Sequence, residues 1–350
     1  MERMIRFTSC ETCPRRECMA ASTASSDTPT ARAISPGENR SVTDLPVAEG
    51  KTPAFAVPCF PPESSPRHLD RRSICAEEGT AGRISEATEE GTLGLMHFSG
   101  KSIVITGATS GIGRAAALGF SREGGEVLAV GRNEAALRGF CSDGNGRVGR
   151  IVACAADLTS AEAPARVVAA ALEAFAGIDV LVNAAGIIAS APLESTSDET
   201  WDSMMAINAR APFRLMREAL PHLKARKGAI VNVSSVNGLR SFPGVLAYCT
   251  SKAAIDHLTR CAAIELAPYG VRVNAVNPGV TVTNLHRRSG MGEEQYAAFL
   301  ERSKTTHPLG RPGNADEIAE LILFLASDRA GWMTGETIPI DGGRHLTCAR

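Results

Sequence analysis

The alternation of apolar and polar positions changes near residue 98. From there on, short runs rich in β-branched residues alternate with longer amphipathic or alanine-rich stretches. Short and nearly continuous apolar runs are typical of strands that are buried on both faces. The predicted strands are 102–106, 126–130, 150–155, 180–183, 229–234, 271–276 and 337–340. The predicted helices are 112–123, 160–175, 198–224, 245–267 and 314–326.

Strands and helices that alternate at these lengths form βαβ units, which build a parallel sheet with helices on both faces. The predicted fold class is therefore α/β, a doubly wound (Rossmann) parallel sheet of about seven strands. One such domain is expected over residues 98–350, without a second core domain. The apolar runs are shorter than the roughly 18 residues that cross a bilayer, so no integral membrane protein is expected.

Residues 1–97 have a different composition. This stretch contains nine of the 19 prolines, is rich in Ser, Thr, Glu and Arg, and lacks helical or strand periodicity. It cannot bury enough apolar surface to offset its ordering entropy, so a disordered N-terminal extension is predicted. Its arginines and Ser/Thr-rich segment suit an organellar presequence, whereas its early glutamates do not. A cytoplasmic protein is expected, and organellar targeting by the extension stays open.

Charge and cysteine content exclude several function classes. The net charge of −1 favours neither nucleic acid nor an anionic membrane surface as a partner. The five later of the ten cysteines have no regular spacing, as is typical of reduced thiols inside cells. Cys10, Cys13 and Cys18 lack a fourth ligand at a suitable spacing, and structural zinc needs four. No metal site is predicted.

A glycine-rich segment follows the first predicted strand and opens a helix: Thr106, Gly107, Ala108, Thr109, Ser110, Gly111, Ile112 and Gly113. Glycines permit a tight turn and let backbone N–H groups approach a diphosphate, which the N-terminus of the helix stabilises. A surface turn can have the same composition. The position between a strand and a helix favours a dinucleotide site.

The end of the second strand bears on the choice of cofactor. An acidic residue there would bond the ribose 2′-hydroxyl of NAD, but this chain has Gly131 followed by Arg132. A guanidinium suits the 2′-phosphate of NADP through charge-assisted hydrogen bonds. We therefore expect NADP(H) rather than NAD(H). The alternative is that Arg132 is a solvated loop residue.

Tyr248 is the candidate acid/base. Among the three tyrosines, it alone has a lysine four residues later, Lys252, on the same face of a predicted helix. Because a nearby ammonium favours the phenolate, Lys252 is expected to lower the pKa of Tyr248 from its ordinary value of about 10. Ser235 ends the fifth strand, at the edge where open α/β sheets bind ligands, and Ser234 is its nearest rival.

The TGxxxGxG spacing of the glycine segment and the Ser-x12-Tyr-x3-Lys spacing resemble the short-chain dehydrogenase/reductase superfamily. The resemblance covers residues 98–344, and the overall pattern closely resembles 3-oxoacyl-acyl-carrier-protein reductase-like members. It implies that Ser235 bonds the substrate oxygen, that Tyr248 exchanges its proton and that Lys252 binds the nicotinamide ribose. It also implies hydride transfer between nicotinamide and a substrate carbon.

Further positions take their roles from the same resemblance. Asp157, with Leu158 after it, corresponds to the residue that contacts the adenine, and Asn208 to a fourth catalytic residue that holds a relay water. The other matches are cofactor contacts after the fourth and sixth strands: Asn183, Ala184, Gly186, Pro278, Gly279 and Thr283. Ala184 departs from the superfamily's Asn-Asn-Ala-Gly motif.

Three functions remain open at this point. The first is an NADP(H)-dependent oxidoreductase for a carbonyl/alcohol pair, and the second is a 3-oxoacyl-acyl-carrier-protein reductase. The third is a catalytically silent dinucleotide-binding sensor or scaffold, which the complete catalytic set disfavours. The small-molecule substrate depends on segment 284–312, where His286, Arg287 and Arg288 are interpreted as a solvated cluster rather than an anion site. The resemblance also implies a homotetramer or homodimer.

Overall fold

The computed structural model describes residues 96–142 and 147–347. Seven of the strands in these residues form one parallel sheet: β1 (Ser102–Thr106), β2 (Glu126–Gly131), β3 (Ile151–Ala155), β4 (Val180–Asn183), β5 (Ala229–Val233), β6 (Arg272–Pro278) and β9 (Thr337–Ile340). Two short strands, β7 (Thr281–Val282) and β8 (Gly313–Asn314), pair separately. The predicted seven-stranded α/β sheet is confirmed. The predicted disordered extension lies outside the described residues except for its last two.

Helices cover both faces of the sheet. They are α1 (Gly111–Arg122), α2 (Glu134–Ser142), α3 (Ala163–Phe175), α4 (Asp198–Met205), α5 (Ala211–Arg226), α6 (Val236–Leu239), α7 (Leu246–Leu266), α8 (Leu285–Arg288), α9 (Glu293–Thr306) and α10 (Ala315–Ala326). Along β1, Ile103 and Ile105 pack in the layer of α1 and α10, whereas Val104 packs in that of α3, α5 and α7. A strand with two buried faces has to be apolar throughout, which explains the continuous apolar runs. None of the helices in the described residues is both long and apolar enough to cross a bilayer.

The predicted helix 198–224 differs from the observed structure. The chain is helical throughout, but a π-helical turn, Ala206–Arg210, separates α4 from α5. Such turns insert an extra residue into the helical hydrogen-bond ladder and often occur at functional sites. Helix α2 was not predicted because it is short and contributes only Leu137 and Phe140 to the buried residues.

The strand order, β3-β2-β1-β4-β5-β6-β9, reverses direction between β1 and β4. Thr106 and Asn183 pair at the carboxyl ends of these strands. The Thr106 hydroxyl accepts hydrogen bonds from the N–H groups of Ala184 and Ala185, at 3.0 and 3.1 Å. The chain leaves the two strands on opposite sides of this point, which opens a crevice between them.

Candidate active site

A cleft of about 520 Å³ lies at the carboxyl ends of the strands. Most of the residues predicted for the site line it: Gly107, Ser110, Gly111, Ile112, Gly113, Arg132, Ala184, Gly186, Ser235, Tyr248, Lys252, Pro278, Gly279 and Thr283. The predicted residues that do not line it are Thr106, Asp157, Leu158, Asn183 and Asn208. Its volume is in the range of sites for small organic ligands.

At two positions of the glycine loop, only glycine fits. Gly107 has φ +69°, and a Cβ there would lie 2.8 Å from the carbonyl oxygen of Ala184. A Cβ at Gly113 would lie 2.6 Å from the carbonyl oxygen of Gly107. The close approach brings the first turn of α1 to the cleft, where its N–H groups and helix dipole favour an anion. The loop is therefore suited to a diphosphate.

Ser235, Tyr248 and Lys252 come together on one side of the cleft, and each is buried. Ser235 caps α6 and accepts a hydrogen bond from the N–H of Asn237 at 3.1 Å. Tyr248 and Lys252 lie on one face of α7, with the Lys252 Nζ 5.7 Å from the centre of the tyrosine ring. The ammonium donates to the carbonyl oxygen of Val233 at 2.9 Å. A substrate oxygen in the cleft can therefore bind the hydroxyls of Ser235 and Tyr248, and the Lys252 ammonium lies close to the tyrosine ring.

The pKa values correct one expectation. Burial raises the pKa of Tyr248 to about 12, and a hydrogen bond with Ser235 opposes this effect only in part. Burial also lowers the pKa of Lys252 to about 8, against the opposing effect of the Asp256 carboxylate. The prediction of a Tyr248 pKa below its ordinary value is wrong, because the effect of burial exceeds that of the nearby Lys252 ammonium. The phenol keeps its proton at neutral pH, as a proton donor must.

Buried polar groups hold Ser235 and Lys252 in position through hydrogen bonds to their backbone. The Asn277 amide donates to the carbonyl oxygen of Ser235 at 2.9 Å and to the Asp256 carboxylate at 3.0 Å. The Ser234 hydroxyl donates to the carbonyl oxygen of Lys252 at 3.2 Å. Ser234 is thereby turned towards the backbone of α7, which favours its neighbour Ser235 as the serine that acts on substrate.

Asn208 lies behind the lining of the cleft, in the π-helical turn, and is 1% exposed. Its side-chain oxygen accepts from the N–H of Ile187 at 3.0 Å, and its amide donates to the carbonyl oxygen of Ile187 at 2.9 Å. The amide also donates to the Ser251 hydroxyl at 3.0 Å. Because Ile187 lines the cleft and Ser251 belongs to α7, Asn208 joins the loop after β4 to the helix that carries Tyr248.

The predicted adenosine contacts lie at the edge of the cleft or outside it. Arg132 is exposed and lines the rim. The Asp157 carboxylate accepts hydrogen bonds from Thr159, which lower its pKa more than the nearby charge of Arg132 does. Asn183 donates to the side-chain oxygen of Asn232 at 2.9 Å. Thr106 and Asn183 therefore support the ends of their strands.

Sequence reasoning missed two residues that hold the loop after β6. The buried Tyr296 hydroxyl accepts from the Thr283 N–H at 3.2 Å and donates to the Thr283 carbonyl oxygen at 2.9 Å. The Val280 N–H donates to Nε2 of His307 at 3.1 Å, so the ring proton is on Nδ1, which donates to Ser303 at 2.8 Å. Burial lowers the pKa of His307, as this neutral form requires.

The basic cluster 286–288 is divided between the cleft and the surface. His286 and Arg288 line the cleft, whereas Arg287 is exposed and paired with Glu293 at 2.7 Å. Among the described residues, no group of His, Cys, Asp and Glu side chains is arranged to hold a metal ion. The cysteines that were weighed as metal ligands, Cys10, Cys13 and Cys18, lie outside the described residues.

Comparison with known proteins identifies the family. A family model described as enoyl-(acyl carrier protein) reductase matches residues 107–345. The chain is 38% identical to a 3-oxoacyl-[acyl-carrier-protein] reductase of Thermotoga maritima, over 71% of this chain and 99% of that protein. It is 34% identical to an L-xylulose reductase of Caenorhabditis elegans, over 70% of this chain and 96% of that protein.

Among solved structures, a short-chain dehydrogenase/reductase from Caenorhabditis elegans, determined with cofactor, superposes with a TM-score of 0.69. The two chains are 34% identical, and the match covers 72% of this chain and 97% of the other. Relatives of this similarity, matched over nearly their whole length, share the fold. The chain therefore belongs to the short-chain dehydrogenase/reductase superfamily, whose members use NAD(P), and it is an oxidoreductase.

Proposed function

We propose that the chain interconverts a carbonyl and a secondary alcohol by hydride transfer with NADP(H), with Tyr248 as the acid/base. The observation that supports this most is the buried set of Ser235, Tyr248 and Lys252 beside the glycine loop in one cleft. A silent sensor or scaffold would not need these three side chains buried together, so that alternative is disfavoured.

In the reductive direction, the substrate carbonyl oxygen accepts hydrogen bonds from Ser235 and Tyr248. The raised pKa keeps the tyrosine protonated at neutral pH, and the phenol gives its proton to the oxygen as the alcohol forms. The Lys252 ammonium stabilises the phenolate that this transfer leaves. Bound NADP(H) would supply or accept the hydride. Asn208 acts as a positioning residue, since it bonds the loop after β4 to α7.

The cofactor preference depends on the rim of the cleft. The first turn of α1 is suited to the diphosphate, and the glycine loop leaves the approach to it clear. At the end of β2, Gly131 provides no acid for a 2′-hydroxyl, and the exposed guanidinium of Arg132 can meet a 2′-phosphate. The remaining cofactor contacts carried over from the superfamily are Thr106, Asp157, Leu158, Asn183, Ala184, Gly186, Pro278, Gly279 and Thr283.

Two finer substrate assignments follow from the relatives. Similarity to the 3-oxoacyl-[acyl-carrier-protein] reductase of Thermotoga maritima favours an acyl thioester as the substrate of this chain, and similarity to the L-xylulose reductase favours a sugar ketone.

Exposed Phe213 on α5 and Ile264 on α7 support the proposed homotetramer or homodimer. The cysteines of the described residues are free, which suits a reducing compartment such as the cytoplasm.

The test is NADPH and NADH consumption with acyl thioesters, steroids and sugar ketones, in the parent and in Arg132→Ala. Loss of a charge-assisted bond to the 2′-phosphate should reduce the NADPH-over-NADH ratio of kcat/KM by about tenfold or more. Arg138→Ala is the control, because Arg138 is exposed and bound to Glu134. An unchanged ratio in Arg132→Ala contradicts the assignment of NADP(H).

A further inference from the structure

Helices α8 and α9 and the C-terminal turn Arg344–Leu346 form a positively charged part of the cleft. Each contributes an arginine to the lining: Arg288, Arg302 and Arg344. The described residues that line the cleft include neither aspartate nor glutamate. The proposed function uses Arg132 and Lys252, but it leaves these three arginines without a role. We call them the cleft arginines.

Arg344 is the most enclosed of the cleft arginines. Its guanidinium carbon lies 4.8 Å from the centre of the Phe242 ring, and its Nη1 donates to the Thr306 hydroxyl at 3.4 Å. Its Nε is buried and has no hydrogen-bond partner among the described residues. Phe242 and Thr306 also line the cleft. This cation is therefore held by an aromatic ring and a neutral hydroxyl.

Asp341, the acid whose charge acts on Arg344, is already engaged by other groups. Its carboxylate accepts from the N–H groups of Gly343 and His345 at 3.0 and 2.7 Å, and it contacts the His345 ring at 3.0 Å. Burial lowers the pKa of Arg344, Asp341 opposes this, and the charges of Arg302 and Arg240 lower it further. Charge of one sign in a partly buried site is costly unless an anion compensates it.

Arg344 lies in the same cleft as the proposed reaction centre. The carbonyl oxygen of Phe242, whose ring stacks on Arg344, is 4.0 Å from the Sγ of Cys249, the residue after Tyr248. Tyr248, Phe242 and Arg344 line the same cleft. A small substrate whose oxygen is at Tyr248 would therefore extend towards a guanidinium that is suited to bind oxyanions.

We propose that the substrate bears an oxyanion, a carboxylate or a phosphate, besides its carbonyl or alcohol, and that Arg344 and Arg302 bind it. This proposal rests on the proposed function, since it names the substrate class of that reaction. The geometry assigns to an exchangeable ligand the hydrogen-bond contact that the buried Nε of Arg344 lacks among the described residues. A small oxo acid or a phosphorylated ketone meets this requirement, and a neutral ketone does not.

The first experiment measures binding without turnover. The Tyr248→Phe variant with NADPH is titrated with matched probes: 4-oxopentanoate against 4-oxopentanamide, and dihydroxyacetone phosphate against dihydroxyacetone. At least one charged probe should bind about tenfold or more tighter than its neutral partner, and Arg344→Met should remove that preference. The pair that shows the preference identifies carboxylate or phosphate as the source. Arg311→Met is the control, because Arg311 is exposed and bound to Glu317 outside the cleft.

Equal affinity for charged and neutral probes overturns the proposal. So does a loss of NADPH affinity in Arg344→Met with the preference for the charged probe intact, since the guanidinium would then serve the cofactor. If Arg344→Met does not fold, Arg302→Met decides the question by the same criterion.

The second experiment separates this proposal from the proposed function by measuring NADPH oxidation in the parent enzyme. Charged probes that bind selectively but are not reduced would leave the oxyanion site supported and count against the proposed reaction. Neutral ketones reduced as efficiently as their charged partners would support the reaction and overturn the oxyanion site. Selective reduction of the charged partner supports both.

Discussion

Replacing Tyr296 by Phe tests whether α9 holds the loop that contains Thr283. The side chain is 2% exposed, and its hydroxyl both accepts from and donates to the backbone of Thr283. The change keeps the ring, on which the Arg287 guanidinium stacks 3.9 Å from the centre, and removes the hydroxyl together with its two hydrogen bonds to Thr283. The variant therefore isolates the contribution of one oxygen atom.

The expected cost follows from those bonds. At about 0.5–1.5 kcal/mol each, their loss should reduce the free energy of unfolding by about 1–3 kcal/mol. For a domain of this size, that corresponds to a fall in Tm of roughly 2–12 °C. Because Thr283 lines the cleft, the KM for NADPH should rise as well.

Thermal unfolding by circular dichroism measures the loss of stability, and initial rates at varied NADPH concentrations measure the KM. Tyr269→Phe is the matched control, because Tyr269 is 49% exposed and its ring stacks on the Lys224 ammonium. The control should stay within about 0.5 kcal/mol of the parent. Equal Tm values for Tyr296→Phe and Tyr269→Phe would refute the role given to the buried hydroxyl.

Two further predictions concern the reaction centre and the glycine loop. The kcat/KM for carbonyl reduction should fall as the pH rises through about 8, where Lys252 loses its proton, and Asp256→Asn should move this fall to lower pH because the carboxylate raises the pKa of Lys252. A profile that is flat to high pH, or unmoved in Asp256→Asn, would contradict this. Gly107→Ala should lose NADPH affinity in a fluorescence titration, because its Cβ would lie 2.8 Å from the Ala184 carbonyl oxygen. Gly139→Ala is the control, since nothing lies within 4 Å of a Cβ there, and equal affinities in the two variants would contradict the prediction.

The fold and the centre of the site were predictable because their signals are local. Buried strands of a parallel sheet must be apolar throughout, so their positions along the chain follow from composition. Tyr248 and Lys252 are four residues apart on one helix, which places them on one face. Ser235 follows a strand, and strand ends meet at the ligand edge of such a sheet. In each case a short stretch of sequence contains the information.

The features that were missed depend on distant partners. Tyr296 and His307 act by bonding backbone groups 13 and 27 residues away, which periodicity along one helix does not reveal. The π-helical turn places the amide of Asn208 against Ile187, 21 residues earlier. The predicted direction of the pKa shift of Tyr248 was wrong. The prediction included the nearby ammonium but left out burial, which is the larger effect.

The role of Tyr248 is the central claim, and Tyr248→Phe tests it most directly. NADPH affinity and turnover with a ketone that the parent reduces are measured in the parent, in Tyr248→Phe and in the Tyr269→Phe control. Loss of the proton donor should reduce kcat by about 10²-fold or more, while the Kd for NADPH stays within about twofold. A Tyr248→Phe variant that reduces the ketone at the rate of the parent would contradict the mechanism, even with the fold and the cofactor site unchanged.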